Sequence, residues 1–194
     1  NNDGLHDIIS LQESDSKSQT DAALAIQLSN IKSCRAGRLS TCYKPKSIDL
    51  PNTPAARNFA LSDFNNDGTL DILVGAGKTK PGPTLGGRYF FLSGKSKGNW
   101  LTLDLKCPKG NNAIGALAKL DYGSTEIARL KTSGIRYETQ DDSRIHIGLG
   151  NTSDLFAQVE VTWVNGKKIF LNKVPINRLF TVNGEMVCAQ SMLH

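Results

Sequence analysis

Apolar and polar positions alternate along the second half of the chain. Leu101, Leu103 and Leu105 fall on one side of an extended backbone, and Thr102, Asp104 and Lys106 on the other. Ile114, Ala116, Ala118, Leu120 and Tyr122 repeat the pattern, as do Ile145, Ile147 and Leu149, and later Val159, Val161 and Trp163. A period of two over short runs separated by turns predicts strands of a sandwich or barrel. Val164-Asn165-Gly166-Lys167 predicts a tight hairpin, because Asn-Gly tolerates the positive φ angles of a type I′ turn. Residues 168–171 and 178–182 supply further strands.

The first half carries the stretch with the most chemistry, Asp63-Phe64-Asn65-Asn66-Asp67-Gly68-Thr69-Leu70-Asp71, which fits D-x-N-x-D-G-x-x-D. Oxygen-bearing side chains stand at alternate positions, Asp63, Asn65 and Asp67. Gly68 permits the sharp turn that brings them together. Asp71 arrives from the far side, and Thr69 is positioned to offer its backbone carbonyl. Hard oxygens in this number suit calcium, which takes six to eight such ligands in a flexible shell. An EF-hand opens similarly but ends in a bidentate Glu at its twelfth position; here that position is Val74. Ile72-Leu73-Val74-Gly75 follows instead, a β-branched run typical of a strand. The alternative is a metal-free Asx-rich turn between two strands, in which three carboxylates would converge without a cation.

The motif occurs twice. The chain opens Asn1-Asn2-Asp3-Gly4-Leu5-His6-Asp7-Ile8-Ile9, and residues 65–73 read Asn-Asn-Asp-Gly-Thr-Leu-Asp-Ile-Leu, an offset of 64 residues from Asp3 to Asp67. Asn1, Asp3 and Asp7 form a partial second site that lacks a match to Asp63. A calcium loop cut through its first ligand implies upstream sequence and a truncated first unit, with weak or no binding there. One loop per unit at this spacing suggests a repeat architecture such as a propeller with four-stranded blades.

Composition narrows the compartment and the class. The net charge is +5, with 12 basic and 9 acidic residues in 1–98 and 11 basic and 9 acidic in 99–194. This even spread, with no basic run longer than two, argues against nucleic-acid binding. No apolar run approaches the ~20 residues that span a bilayer. Cys34, Cys42, Cys107 and Cys188 contain no C-x-x-C pair, so zinc is disfavoured. An even count suits two disulfides in an oxidising compartment. Three pairings are open, Cys34–Cys42 with Cys107–Cys188 among them, against the alternative of four buried thiols. Asn151-Thr152-Ser153 is a glycosylation sequon.

Two resemblances cover nearly the whole chain. The loop pair resembles FG-GAP/VCBS repeats, the calcium-loop blades of integrin-α-like propellers. The likeness implies that residues 1–97 are the last blade or two, with Ala23–Leu28 an inner strand, Asn58–Leu61 leading into the second loop and Tyr89–Leu92 a strand leaving that blade. Gly98-Asn99-Trp100-Leu101, Asn112-Ala113-Ile114-Gly115-Ala116, Arg144-Ile145-His146-Ile147-Gly148-Leu149-Gly150 and Val159-Glu160-Val161-Thr162-Trp163 resemble the ASPIC/UnbV domain. That domain would span 98–187, leaving 188–194 as a tail. The order of the two parts is that of the cartilage acidic protein family, from which this chain departs in being basic and in lacking an EGF-like cysteine module.

The expectation is therefore an all-β, secreted, calcium-binding and non-enzymatic protein of the adhesion or extracellular-matrix type. Its partners would be extracellular proteins or glycans, or copies of itself in a structural assembly, without membrane insertion. Loops such as Lys80-Pro81-Gly82-Pro83 could carry contacts. A hydrolase is disfavoured. His146 alternates with Ile145 and Ile147 and should face away from the core, His194 ends the chain, and Asp141-Asp142 reads as a turn before Arg144. On this reading Asp142→Ala leaves calcium affinity unchanged, while Asp67→Ala weakens it.

Overall fold

A computed structural model describes residues 2–12, 23–29, 42–50, 56–76, 88–95, 98–107, 113–123, 125–134 and 139–184. Asn1, Cys34, Lys80–Pro83, Asn112, Cys188 and His194 lie outside the described residues. The chain is all-β, and its thirteen strands among the described residues form four open sheets.

The first two sheets are antiparallel and three-stranded. One has the order β1 (Ile8–Gln12), β2 (Ala23–Ser29), β3 (Tyr43–Asp49), and the other β4 (Ala56–Ser62), β5 (Asp71–Ala76), β6 (Arg88–Leu92). Among the described residues each has three strands, against the four expected of a blade. Ala23–Leu28 lies in the middle strand of its sheet, while Asn58–Leu61 and Tyr89–Leu92 fall in β4 and β6. The sheets share a core of Leu24, Leu50, Phe59, Ile72 and Val74, flanked by Ile9, Leu11, Ile26, Ile48, Leu61 and Leu92. Phe59 and Leu61 of β4 and Ile72 and Val74 of β5 supply the apolar sides of their strands, which period two makes possible.

The other seven strands build a sandwich. One sheet is β10 (Ile145–Gly150), β7 (Asn99–Lys106), β13 (Leu179–Asn183), with β13 parallel to β7; the second is β12 (Lys168–Pro175), β11 (Phe156–Thr162), β8 (Leu117–Tyr122), β9 (Thr125–Leu130). Leu101, Leu103, Leu105, Ile145, Ile147 and Leu149 face Ala118, Leu120, Tyr122, Val159, Val161 and Trp163 across one core. Burying each leucine fully contributes about 1.5–3 kcal/mol.

Two local expectations fail for backbone reasons. Ile114 is 48% exposed, because Ala113 (φ 51°) and Gly115 (φ 87°) make a turn there and the alternation begins only at Ala116. The β11–β12 hairpin is present, but only Gly166 takes a positive φ, 79°. The Gly166 N–H donates to Trp163 O at 2.8 Å, and the Trp163 N–H donates to Lys167 O at 2.8 Å. This is a three-residue loop closed by a left-handed glycine rather than a type I′ turn.

The C-terminal half also covers an edge of the N-terminal half. β4 is an outer strand, and an open edge invites pairing with other chains. Here the Asp142 N–H donates to Leu61 O at 2.9 Å, the Leu61 N–H to Asp141 Oδ1 at 2.9 Å, and Thr139 Oγ1 to Phe59 O at 3.1 Å.

Candidate metal centre

Residues 63–70 connect β4 to β5. Asp63 is 4% exposed and Asp71 fully buried. Asp63 Oδ1 accepts the Asp67 N–H at 3.0 Å and Oδ2 the Gly68 N–H at 2.8 Å. Asn65 Oδ1 accepts the Asp67 N–H at 3.1 Å, and Asp67 Oδ1 accepts the Thr69 N–H at 2.9 Å. Asn65 Nδ2 donates to Asp67 Oδ2 at 2.8 Å. Asp71 Oδ2 accepts the Phe64 N–H at 3.1 Å and Oδ1 the Gly94 N–H at 2.9 Å, which ties the loop to the end of β6. Asn65 Nδ2 and the Thr69 N–H hold the Asp67 carboxyl below the ordinary carboxylate value.

The first loop has the same form. Asn2 (φ 57°) and Gly4 (φ 84°) match Asn66 (φ 56°) and Gly68 (φ 85°). The Leu5 N–H donates to Asp3 Oδ1 at 2.9 Å, as Thr69 does to Asp67. Asp7 Oδ1 accepts the Ser29 N–H at 2.8 Å, as Asp71 accepts that of Gly94. The repeat read from sequence is thus a repeat of backbone conformation and hydrogen bonding. Asn2 Nδ2 donates to Gly68 O at 2.6 Å, so the two loops touch.

Whether these residues suit calcium can be judged from the donor set. The side-chain atoms offered by Asp63, Asn65, Asp67 and Asp71 are hard oxygens. Each named carboxylate oxygen accepts one N–H and retains further acceptor capacity. The chemistry fits calcium and not a thiolate- or imidazole-seeking metal. Among the described residues no group of three or more His, Cys, Asp and Glu side chains is gathered to hold a metal. The loop is closed on its own amides, with its oxygens supplied partly by Asn65 and the backbone.

Four residues that spacing did not single out brace this loop. Arg144 Nη1 donates to Asn66 Oδ1 at 2.8 Å and Nη2 to Asp63 O at 3.1 Å. The same guanidinium is paired with Asp142 through Nε at 2.8 Å and through Nη2. Asp142 Oδ2 also accepts the Ser62 hydroxyl at 2.7 Å. Burial works against the charged form of Asp142, but the bonds from Arg144 and Ser62 outweigh it and hold its carboxyl below the usual range. Asp142 therefore orients the arginine that grips the loop, and Asp142→Ala is not the neutral control that sequence distance suggests. Trp100 covers Gly68.

His146 does point away from the Ile145 and Ile147 core, as the alternation requires, but that face is not open. Its ring stacks on Trp100, with centroids 6.0 Å apart and planes 20° apart. Nε2 lies 3.0 Å from Asn2 Oδ1 and Nδ1 lies 3.0 Å from Thr102 Oγ1. Because Asn2 Nδ2 donates to Gly68 O, Asn2 Oδ1 can only accept, so Nε2 carries the proton and the neutral Nδ1 accepts from Thr102. Burial lowers the imidazole pKa, against the attraction of Asp63. A histidine kept neutral in the fold charges first in the unfolded chain. Stability should therefore be full above the ordinary value of 6.5 and fall as pH drops through and below it. Chemical denaturation from pH 7.5 to pH 5 should show this slope. His146→Gln should flatten it, and an unchanged slope would place the titrating group elsewhere.

Among the described residues no cysteine is free. Asn151 is exposed on the bend after β10, an accessible position for its sequon.

The family model described as ASPIC and UnbV matches residues 108–186. The match runs from just after β7 to the end of β13, and β7 lies between β10 and β13, within the same sandwich. Comparison with curated proteins finds no match to the chain. Domains of the ASPIC/UnbV kind occur in extracellular or surface proteins of unclear function.

Proposed function

We propose that this chain is a secreted calcium-binding, non-enzymatic protein of the adhesion or extracellular-matrix type. In this reading FG-GAP/VCBS-like blades are followed by an ASPIC/UnbV-like sandwich, as in the cartilage acidic protein family. The observation that carries it is the pair of loops with matching φ angles and matching Asx hydrogen bonds, one of which has the full oxygen set. Asp63, Asn65, Asp67, Asp71 and the Thr69 carbonyl would hold the ion. When bound, calcium supplies a fixed positive charge that neutralises the carboxylates and stiffens the β4–β5 connection. Residues 139–146 bond to that connection and to β4, so the ion would also stiffen the joint between the two halves. Disulfides at Cys42 and Cys107, neither of which is free, would favour an oxidising compartment. His146 supports a non-enzymatic role, since both ring nitrogens are engaged and the ring is stacked on Trp100.

Titration calorimetry of the full chain with calcium chloride tests the reading. One saturable site per chain is expected, with affinity lowered at least tenfold by Asp67→Ala. Calcium at a hundredfold excess over Kd should add about 2.7 kcal/mol to unfolding stability. Equal affinities for the two proteins would remove Asp63–Asp71 as the site.

A further inference from the structure

A second feature lies beside the loop and does not depend on calcium. A cleft of about 200 Å³ runs between β9, the 139–146 segment and the start of the loop. Its lining includes six charged side chains: Asp63, Asp141, Asp142, Arg129, Lys131 and Arg144. Four of them are engaged within the protein. The Asp63 oxygens accept loop amides, Asp141 accepts the Leu61 N–H, and Asp142 and Arg144 pair with each other.

The two cations of β9 and its end are different. Arg129 Nη1 donates to Ala128 O at 3.0 Å and Nη2 to Gly4 O at 3.2 Å. Lys131, only 3% exposed, donates to Leu105 O at 3.2 Å. Among the described residues neither has a carboxylate within ion-pair distance. Both heads keep donors beyond those they use. A buried cation held only by neutral carbonyls is costly, and an incoming anion relieves that cost. Burial accordingly lowers the pKa of both groups; for Lys131 the charges of Asp104 and Asp142 oppose the shift and that of Lys106 adds to it.

We infer that this cleft binds a small oxyanion-bearing ligand, its carboxylate or sulfate received by Arg129 and Lys131. The guanidinium fork matches two oxygens of such a group. The volume is below the ~300 Å³ of the smallest drug-sized pockets, so the occupant is about one sugar ring or the end of a longer acidic chain. Thr132, Ser133 and Gln140 on the wall supply neutral donors and acceptors suited to ring hydroxyls.

Amide-resolved NMR titration of the full chain tests this with three probes: sodium glucuronate, glucose 6-sulfate and glucose. Saturable shifts at residues 129–134 and 139–146 are expected with one or both acidic sugars and not with glucose. The two acidic probes separate carboxylate from sulfate preference. Arg129→Gln, which keeps an amide donor toward Gly4 O, should weaken binding at least tenfold with an otherwise unchanged spectrum, and Lys131→Met should do the same. The proposal is overturned by equal response to glucose, by no saturable shift with either acid, or by binding that survives both substitutions. A purely structural Lys131 would lower thermal stability in Lys131→Met and leave the glucuronate and sulfate titrations as in wild type.

Discussion

Gly68→Ala is expected to destabilise the protein by about 2–5 kcal/mol, the sum of two separate penalties. Gly68 has φ +85°, where an L side chain is strained, and a Cβ built there would lie 1.9 Å from Trp100 Nε1 and 2.0 Å from Cε2. The indole cannot retreat without cost, because it is buried against the loop and stacked on His146. Denaturant unfolding of wild type and Gly68→Ala measures the sum. A double-mutant cycle separates its parts. In a Trp100→Ala background the clash is gone, so Gly68→Ala should cost only the left-handed strain, about 1 kcal/mol. If the substitution costs the same in both backgrounds, the glycine is needed for its φ alone and the docking of Trp100 on the loop carries no energy.

That prediction marks the boundary between what spacing reveals and what it hides. The D-x-N-x-D-G-x-x-D pattern identifies the loop because its internal bonds are local: Asp63 to Asp67 and Gly68, Asp67 to Thr69. Alternation identifies the sandwich strands because period two is the geometry of the strand itself. The sequence also exposes the repeat, since matched residues produce matched φ angles at Asn2 and Asn66. Gly68 was legible as a turn residue. Its second role, leaving room for Trp100, was not, for nothing in a nine-residue motif refers to a side chain 32 positions on.

The bracing residues were hidden for the same reason. Arg144 reaches Asn66 and Asp63 across 78 and 81 positions, and His146 reaches Asn2 across 144. Asp142, which the sequence presents only as part of a turn before Arg144, bonds Ser62 at the entry to the loop. Ile114 shows the opposite limit, in which a period-two match extends one residue into a turn whose φ angles break it. Contacts between the halves thus decide how the loop is held, and they arise from topology that no local pattern encodes. The cleft beside β9 belongs to the same class, since its walls come from three separated segments.

The second large effect is expected at Asp71, and it separates the loop's framework from its ion. Asp71 is fully buried, and its two oxygens satisfy the N–H groups of Phe64 and Gly94. Asp71→Ala leaves both donors without these acceptors, at about 1–3 kcal/mol each, so a loss of about 2–6 kcal/mol is expected even in a chelator such as EGTA. Asp71→Asn keeps one acceptor oxygen but turns an NH2 toward the other N–H, which places its loss in chelator between wild type and Asp71→Ala. Adding calcium then asks a different question. If Asp71 is a ligand, wild type gains stability with calcium while both variants gain far less, so the gaps widen. If the gaps are identical with and without calcium, Asp71 is a framework residue only, and the ion, wherever it binds, does not use the carboxylate at the end of the motif. Unfolding curves for three proteins in two buffers separate the outcomes, because the hydrogen-bond loss is present in both buffers and the ion's contribution in one.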